Sequence, residues 1–220
     1  MLEPRHILDV KKQQIKEGVI NLFTEVDNAI RQAIKCLDTR DIDDCLSIIH
    51  NDNMINEKRR LLEQDALIAI ASQQPVAHDL REIIAAMRIV TELERMADYA
   101  ADIAASVMEM DATEPTQESK QSLFDMSDVC LKMSHAVSTA YSENNAEQAK
   151  EISALDDKID AALKHLSKEL LNQMKSAPEL VENASRMLWI AHNLERCGDR
   201  LTNIAEQVVF ITDSEVVDLN

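Results

Sequence analysis

The sequence holds two glycines, four prolines and 3% aromatic residues in 220 positions. All-β and α/β folds need frequent tight turns built on Gly and Pro, so neither fits this chain. Cysteine is also sparse, and Cys36, Cys45, Cys130 and Cys197 show no Cys-x-x-Cys spacing, which reads as four free thiols. Basic residues are outnumbered, 23 against 40 acids, for a formal charge of −17. That balance argues against nucleic-acid backbones and against anionic membrane surfaces, both of which need clustered Lys and Arg. No apolar run approaches the roughly 18 residues that cross a bilayer, and MLEPRHILDVKKQQ lacks the apolar region of a signal peptide, so a cytoplasmic location is expected. Phosphate-cradling and nucleophile motifs (G-x-x-x-x-G-K-S/T, G-x-S-x-G, H-E-x-x-H) are missing as well.

What is present is helical periodicity. Hydrophobic residues make up 45% and charged residues 29%, ordinary globular usage with material for a core. A first helix follows Leu8, Ile15, Val19, Leu22, Val26, Ala29, Ala33 and Leu37 over about 45 Å. After DTRDIDD, Asp41 is placed to cap a second helix through Ile42, Ile48, Ile55, Leu62 and Ala69. Beyond Pro75 a third runs through Leu80, Ile83, Met87, Val90, Leu93, Ala97, Ala100 and Ala104. The polar stretch 111–119, with Pro115, marks a boundary. A fourth helix then carries Leu123, Met126, Cys130, Met133, Val137 and Ala140; a fifth carries Ala149, Ile152, Ile159, Leu163, Leu166 and Leu170; and after Pro178 a sixth carries Leu188, Ala191, Leu194, Leu201, Ala205 and Val208.

The halves are related in sequence. LERMADYAADIA at 93–104 aligns with LERCGDRLTNIA at 194–205, and IIHNDNMINE at 48–57 with ISALDDKIDA at 152–161. The expected architecture is all-α: two tandem, sequence-related three-helix bundles, residues 1–112 and 113–220, each burying its stripes against its own partners.

Carboxylates recur one helical turn apart: Glu94, Asp98 and Asp102 in the first half, Glu195 and Asp199 in the second with Asn203 in the third place. The second helix offers Asp52 with Asn56, and the fifth Asp156 with Asp160. With 40 acids, about seven such pairs arise by chance on solvated faces. These pairs, however, occupy equivalent places in both halves, beside apolar stripes, where stacked like charges call for a cation. Gly198 stands mid-helix between Glu195 and Asp199, at a cost of about 1 kcal/mol relative to Ala, as though a neighbouring helix approaches closely. Facing helices would give an all-oxygen site suited to Mg, Ca or Mn, and to Fe with bridging carboxylates. The competing reading is that Arg95 and Arg196 neutralise these acids as ordinary ion pairs.

ASQQPVAHDLREIIAAMRIVTELERMADYAADIA at 71–104 resembles the signature of the PhoU family, and NLERCGDRLTNIAEQVVF at 193–210 resembles its second copy. The resemblance spans nearly the whole chain and implies a pair of three-helix bundles. It implies a negative regulator of the phosphate-starvation response, not an enzyme, standing between the ATPase subunit of a Pst-type phosphate ABC transporter and a phosphate-responsive histidine kinase, with a homodimer in keeping. Some members of the family carry iron or other metal clusters on E/D-x-x-x-D motifs. The matching positions here are Glu94 with Asp98, Glu195 with Asp199, and Asp156 with Asp160, and the metal implied is Fe, Mn, Mg, Ca or Zn. Asp52 also matches, but Asn56 replaces the second carboxylate of its pair, and Asn203 replaces the counterpart of Asp102.

Two rival classes remain. A metal-free helical adaptor differs only at the acids. A carboxylate-bridged di-iron oxidase needs Glu-x-x-His on facing helices; the sequence has only Glu3 to His6, interrupted by Pro4, while His192 precedes Glu195 in the reverse order. His50, His78, His135 and His165 read as surface or boundary residues, Trp189 as a packing anchor between bundle and neighbour, the methionines as core filling, and the last eight residues as a frayed tail.

Overall fold

The computed structural model describes residues 4–111, 116–214 and 216–219; Glu3 and Pro115 lie outside them. The described residues form helices α1 (Pro4–Thr39), α2 (Ile42–Gln73), α3 (Ala77–Met108), α4 (Gln117–Glu143), α5 (Ala146–Lys150), α6 (Ser153–Ser176) and α7 (Val181–Asp213), with a 3-10 turn at Pro178–Leu180 before α7. No strand occurs among them. Two-residue and three-residue connections after α1 and α2 fold the first three helices back on one another. Asp41 caps α2, its carboxylate accepting from the backbone N–H of Asp43 at 2.9 Å and of Asp44 at 3.2 Å. Thr116 accepts from Ser119 N–H at the start of α4 in the same way.

The scarcity of glycine has a structural counterpart. The left-handed positions that end α1, α2 and α4 are taken by Arg40, Gln74 and Asn144, at φ 51°, 49° and 53°. Both glycines sit instead inside helices, where another helix comes close. A Cβ on Gly18 would strike the Leu62 side chain of α2, and one on Gly198 would lie 2.5 Å from Asp156 Oδ1 and 3.3 Å from Ile159 Cδ1 of α6. The close approach expected at Gly198 is therefore present.

The fifth helix is split. The chain turns at residues 151–152, Ile152 N–H bonding the Ala149 carbonyl at 3.3 Å, so the short α5 precedes α6. Both Ala149 and Ile152 are buried, so the apolar spacing continues across a turn that no Gly or Pro announces.

The apolar stripes meet in one continuous core that includes residues of both halves. Each half packs on itself as expected, but α3 also packs along α7, and α1 along α4. The stripes are thus not confined to their own bundles. Arg88 Nη1 donates to Gln207 Oε1 at 3.1 Å, Arg200 Nη1 to Glu92 Oε2 at 3.1 Å, and Asn203 Nδ2 to the same oxygen at 3.4 Å. Residues advancing along α3 meet residues receding along α7, so the two helices run antiparallel and the sequence repeat becomes a pseudo-two-fold in space.

All four cysteines are buried free thiols. They fall into two neighbouring pairs, Cys36 with Cys45 and Cys130 with Cys197, and burial beside Cys45 pushes the Cys36 thiol up to about 12. Met126 and Met133 fill the core, and the four histidines named above are exposed. Two expectations need correction. Trp189 is 49% exposed, its ring 5.6 Å from that of His192, and anchors no core. Among the described residues of the tail, Val217 and Leu219 are not frayed: Leu219 N–H bonds Glu206 Oε1 at 3.0 Å, and both side chains pack against the core margin.

Candidate metal centres

Helical spacing puts Glu94, Asp98 and Asp102 one above another on α3, and the packing of α2 on α3 turns Asp52 toward them. Asp52 is half-buried; its Oδ2 accepts from Asn56 Nδ2 at 2.8 Å, while its Oδ1 is buried without a hydrogen-bond partner. Burial raises the Asp52 carboxyl above its usual range, and the Glu94 carboxylate adds to the shift. Asp98 remains open to solvent, yet the protein mass around it, with Asp52, Glu94 and Asp102 beside it, pushes its pKa to about 6. Asp102 is raised by burial.

The second half repeats this arrangement between α6 and α7. Asp156 and Asp160 face Glu195 and Asp199. Burial, followed by the charges of Asp199 and Asp160, pushes Asp156 to about 6. Glu195 is raised by burial and then by Asp199. Asp156 Oδ1 and Glu195 Oε2 are buried without hydrogen-bond partners. The Thr202 hydroxyl beside them donates to the Gly198 carbonyl at 3.2 Å. This cluster opens into a surface cavity of about 290 Å³ lined by Asp156, Asp160, Asp199 and Asn203, with Leu219 of the tail at its edge.

The ion pairs of these acids are not those expected. Among the described residues neither Arg95 nor Arg196 forms one within 4.0 Å. Glu94 instead meets Arg59 of α2 at 3.3 Å, and Arg59 also holds Glu63 at 2.8 Å. Glu195 Oε2 lies 3.3 Å from His192 Nδ1, a pair that is ionic only when the imidazole is protonated. Arg196 is held in its charged form first by Tyr99 of α3, then by Asp199 and Glu195. Spacing along one helix cannot reveal Arg59, because it comes from the facing helix. His192 was visible three residues before Glu195, the reverse of the di-iron order. Asn203 departs from its counterpart Asp102 because it bonds Glu92 across the α3–α7 seam.

Each half therefore gathers four carboxylates from two helices, with orphaned oxygens and mutual repulsion left only partly neutralised. Among the described residues no three His, Cys, Asp or Glu side chains converge as a closed coordination shell. The donor set is oxygen throughout and open to water. That suits hard cations that keep part of their hydration, and gives none of the thiolate or imidazole donors of a structural zinc site.

The PhoU domain matches this chain twice, over residues 19–107 and 123–208. The phosphate-specific transport system accessory protein PhoU homolog of Clostridium acetobutylicum is 30% identical over 98% of this chain and 99% of its own length. The protein of the same name from Streptococcus pneumoniae is 30% identical over 98% of this chain and all of its own length. The crystal structure of the phosphate transport system regulatory protein PhoU from S. pneumoniae superposes with a TM-score of 0.90 at 29% identity, covering 96% of this chain and 99% of that one. PhoU from Pseudomonas aeruginosa shares the fold at a TM-score of 0.88. With both repeats matched and the whole length aligned, this chain belongs to the PhoU family.

Proposed function

We propose that this protein is a regulatory accessory of phosphate transport, a negative regulator of the phosphate-starvation response and of phosphate uptake. In this reading it couples the ATPase subunit of a Pst-type phosphate ABC transporter to a phosphate-responsive histidine kinase. The supporting observation is the end-to-end likeness to proteins named for that transport system, with both repeats intact. No described helix is long and apolar enough to cross a membrane, which accords with a component that works by docking.

In the same proposal the two acid clusters hold metal cations: Asp52, Glu94, Asp98 and Asp102 in one half, Asp156, Asp160, Glu195 and Asp199 in the other. A bound cation would supply positive charge to the orphaned oxygens and a place for partner or phosphate oxygens to coordinate. The residues themselves hold that geometry: Asn56 orients Asp52, Arg59 restrains Glu94, and Gly198 leaves room for Asp156.

Phosphate status reaches the protein through its partners or by bridging such a metal. The protein's own lysines make a poor phosphate cradle. In the cavity of about 190 Å³ lined by Lys12, Lys16 and Tyr141, Asp9 and Glu82 share the walls, and Lys12 is paired with Asp79 at 2.5 Å and Glu82 at 2.6 Å. A reporter of phosphate-starvation genes tests the regulatory reading. Deletion of this gene should release the reporter at high phosphate, and repression unchanged by the deletion would contradict the proposal.

A further inference from the structure

Three helix ends meet at one corner of the first half: α1 stops at Thr39, α2 starts at Ile42 and α3 stops at Met108. Backbone hydrogen bonds pin this corner. Arg40, left-handed at φ 51°, bonds the Cys36 carbonyl through its N–H at 2.9 Å; Cys45 N–H bonds the Asp41 carbonyl at 3.1 Å, and Met110 N–H bonds the Val107 carbonyl at 3.2 Å. Two thiols are neighbours there, Cys36 on the last turn of α1 and Cys45 on the first turn of α2. A cavity of about 270 Å³ reaches Cys45, and Met108 and Met110 line it. A second cavity, of about 380 Å³, reaches Cys36. Ile42, which the sequence placed on the inner stripe, is 58% exposed and lines the first of these cavities.

We propose that this corner binds a soft monovalent metal cation, Cu(I) or its analogue Ag(I), through Cys36 Sγ and Cys45 Sγ, with the thioether of Met108 or Met110 as third donor. The site is separate from the acid clusters and does not depend on them. Three observations select such a cation.

The first is the donor set. Thiolate and thioether sulfur favour Cu(I), whereas hard cations favour carboxylate oxygen. Asp111 also lines the cavity, but its Oδ1 accepts from Asn183 Nδ2 at 2.8 Å, which leaves sulfur as the available ligand.

The second is the number of donors. Among the described residues no three His, Cys, Asp or Glu side chains converge here, so the four-donor shell of a structural zinc site is not supplied. A monovalent d10 cation is satisfied by two thiolates, or by two with a thioether.

The third is charge. Two thiolates around a monovalent cation leave one net negative charge. Arg40 lines the same cavity, and its Nε is buried without a hydrogen-bond partner. The guanidinium supplies both the opposing charge and an N–H for a thiolate sulfur. Binding forms a metal–sulfur bond at each cysteine and releases each thiol proton to water, with no change of oxidation state.

Anaerobic titration of the reduced protein with Cu(I), against bicinchoninate as competing chelator, tests this. Wild type should take up one Cu(I) per chain and gain a thiolate-to-copper charge-transfer band. X-ray absorption of the loaded wild type should show sulfur alone around the copper. Cys36→Ser/Cys45→Ser should lose both the copper and the band with its circular dichroism unchanged. Met108→Leu/Met110→Leu and Arg40→Gln should each weaken affinity about tenfold. Cys130→Ser, which alters a thiol sealed in the core at 0% exposure, should bind as wild type does. Failure of the wild type to take Cu(I) from the competitor would overturn the proposal, as would nitrogen or oxygen ligands around the copper. Full uptake by Cys36→Ser/Cys45→Ser, or uptake that follows Cys130 instead, would overturn it equally. An affinity untouched in Met108→Leu/Met110→Leu would overturn the third donor.

Discussion

Asp98 and Asp156 carry the electrostatic tension of their respective halves, each with a pKa raised to about 6 from an ordinary 3.8. A raised carboxyl pKa means that the folded state binds protons more tightly than the unfolded chain between those two values. Stability therefore declines as pH rises through that window, and the penalty is complete above it. Asparagine mimics the protonated form. In metal-free protein, Asp98→Asn or Asp156→Asn should raise the melting temperature at pH 7.5, and the gain should shrink through pH 6 and vanish below about pH 4. Both groups are only partly buried, so screening holds each gain to about 1 kcal/mol or less, roughly 2–4 °C in a chain of this size. Thermal melts from pH 4 to 8 read this out, and a gain independent of pH would refute the electrostatic origin. Gly198→Ala separates packing from charge. Helix propensity favours Ala by about 1 kcal/mol, but the added Cβ must displace the Asp156 carboxylate. Stability should change by less than about 1 kcal/mol while divalent-cation affinity falls in the second half alone; titration in an Asp98→Asn background isolates that half.

At the scale of elements, the α3–α7 seam rests on Glu92, which accepts from both Arg200 and Asn203, with the Glu92 and Arg200 side chains 19% and 13% exposed. Glu92→Ala leaves a mostly buried guanidinium without its carboxylate and should cost about 1–3 kcal/mol in urea denaturation, with Glu92→Gln costing less. Equal losses in the two variants would show that the charge of Glu92 is immaterial. Helix identities and ends were legible because local chemistry states them: the Asp41 cap, the stops at Pro75 and Pro178, the stripes of α1 and α4. The break before α6 was not, because Ala149 and Ile152 keep their spacing and burial across it. The acid pairs were legible as pairs along one helix, and their duplication gave the facing pairs. The cation opposite Glu94 was not, since Arg59 arrives from another helix. Trp189 and Ile42 were misplaced for a shared reason: periodicity records that a residue is apolar and not which side of its helix meets the core.

Over the whole molecule, the continuous core and the polar seam bind the repeats into one body. Urea unfolding should therefore follow a single transition with coincident far-ultraviolet and Trp189 fluorescence signals; two separated transitions would show bundles that fold independently. The pseudo-two-fold places an equivalent acid cluster in each half, and that duplication underlies the functional reading. Its most direct check is the metal content of protein purified without chelator, measured by elemental analysis beside a Glu94→Ala/Glu195→Ala double variant. Stoichiometric metal in the wild type that is lost in the variant is the expected result. Wild type free of metal even after incubation with Mn or Fe, or a variant that retains a full complement, would contradict it.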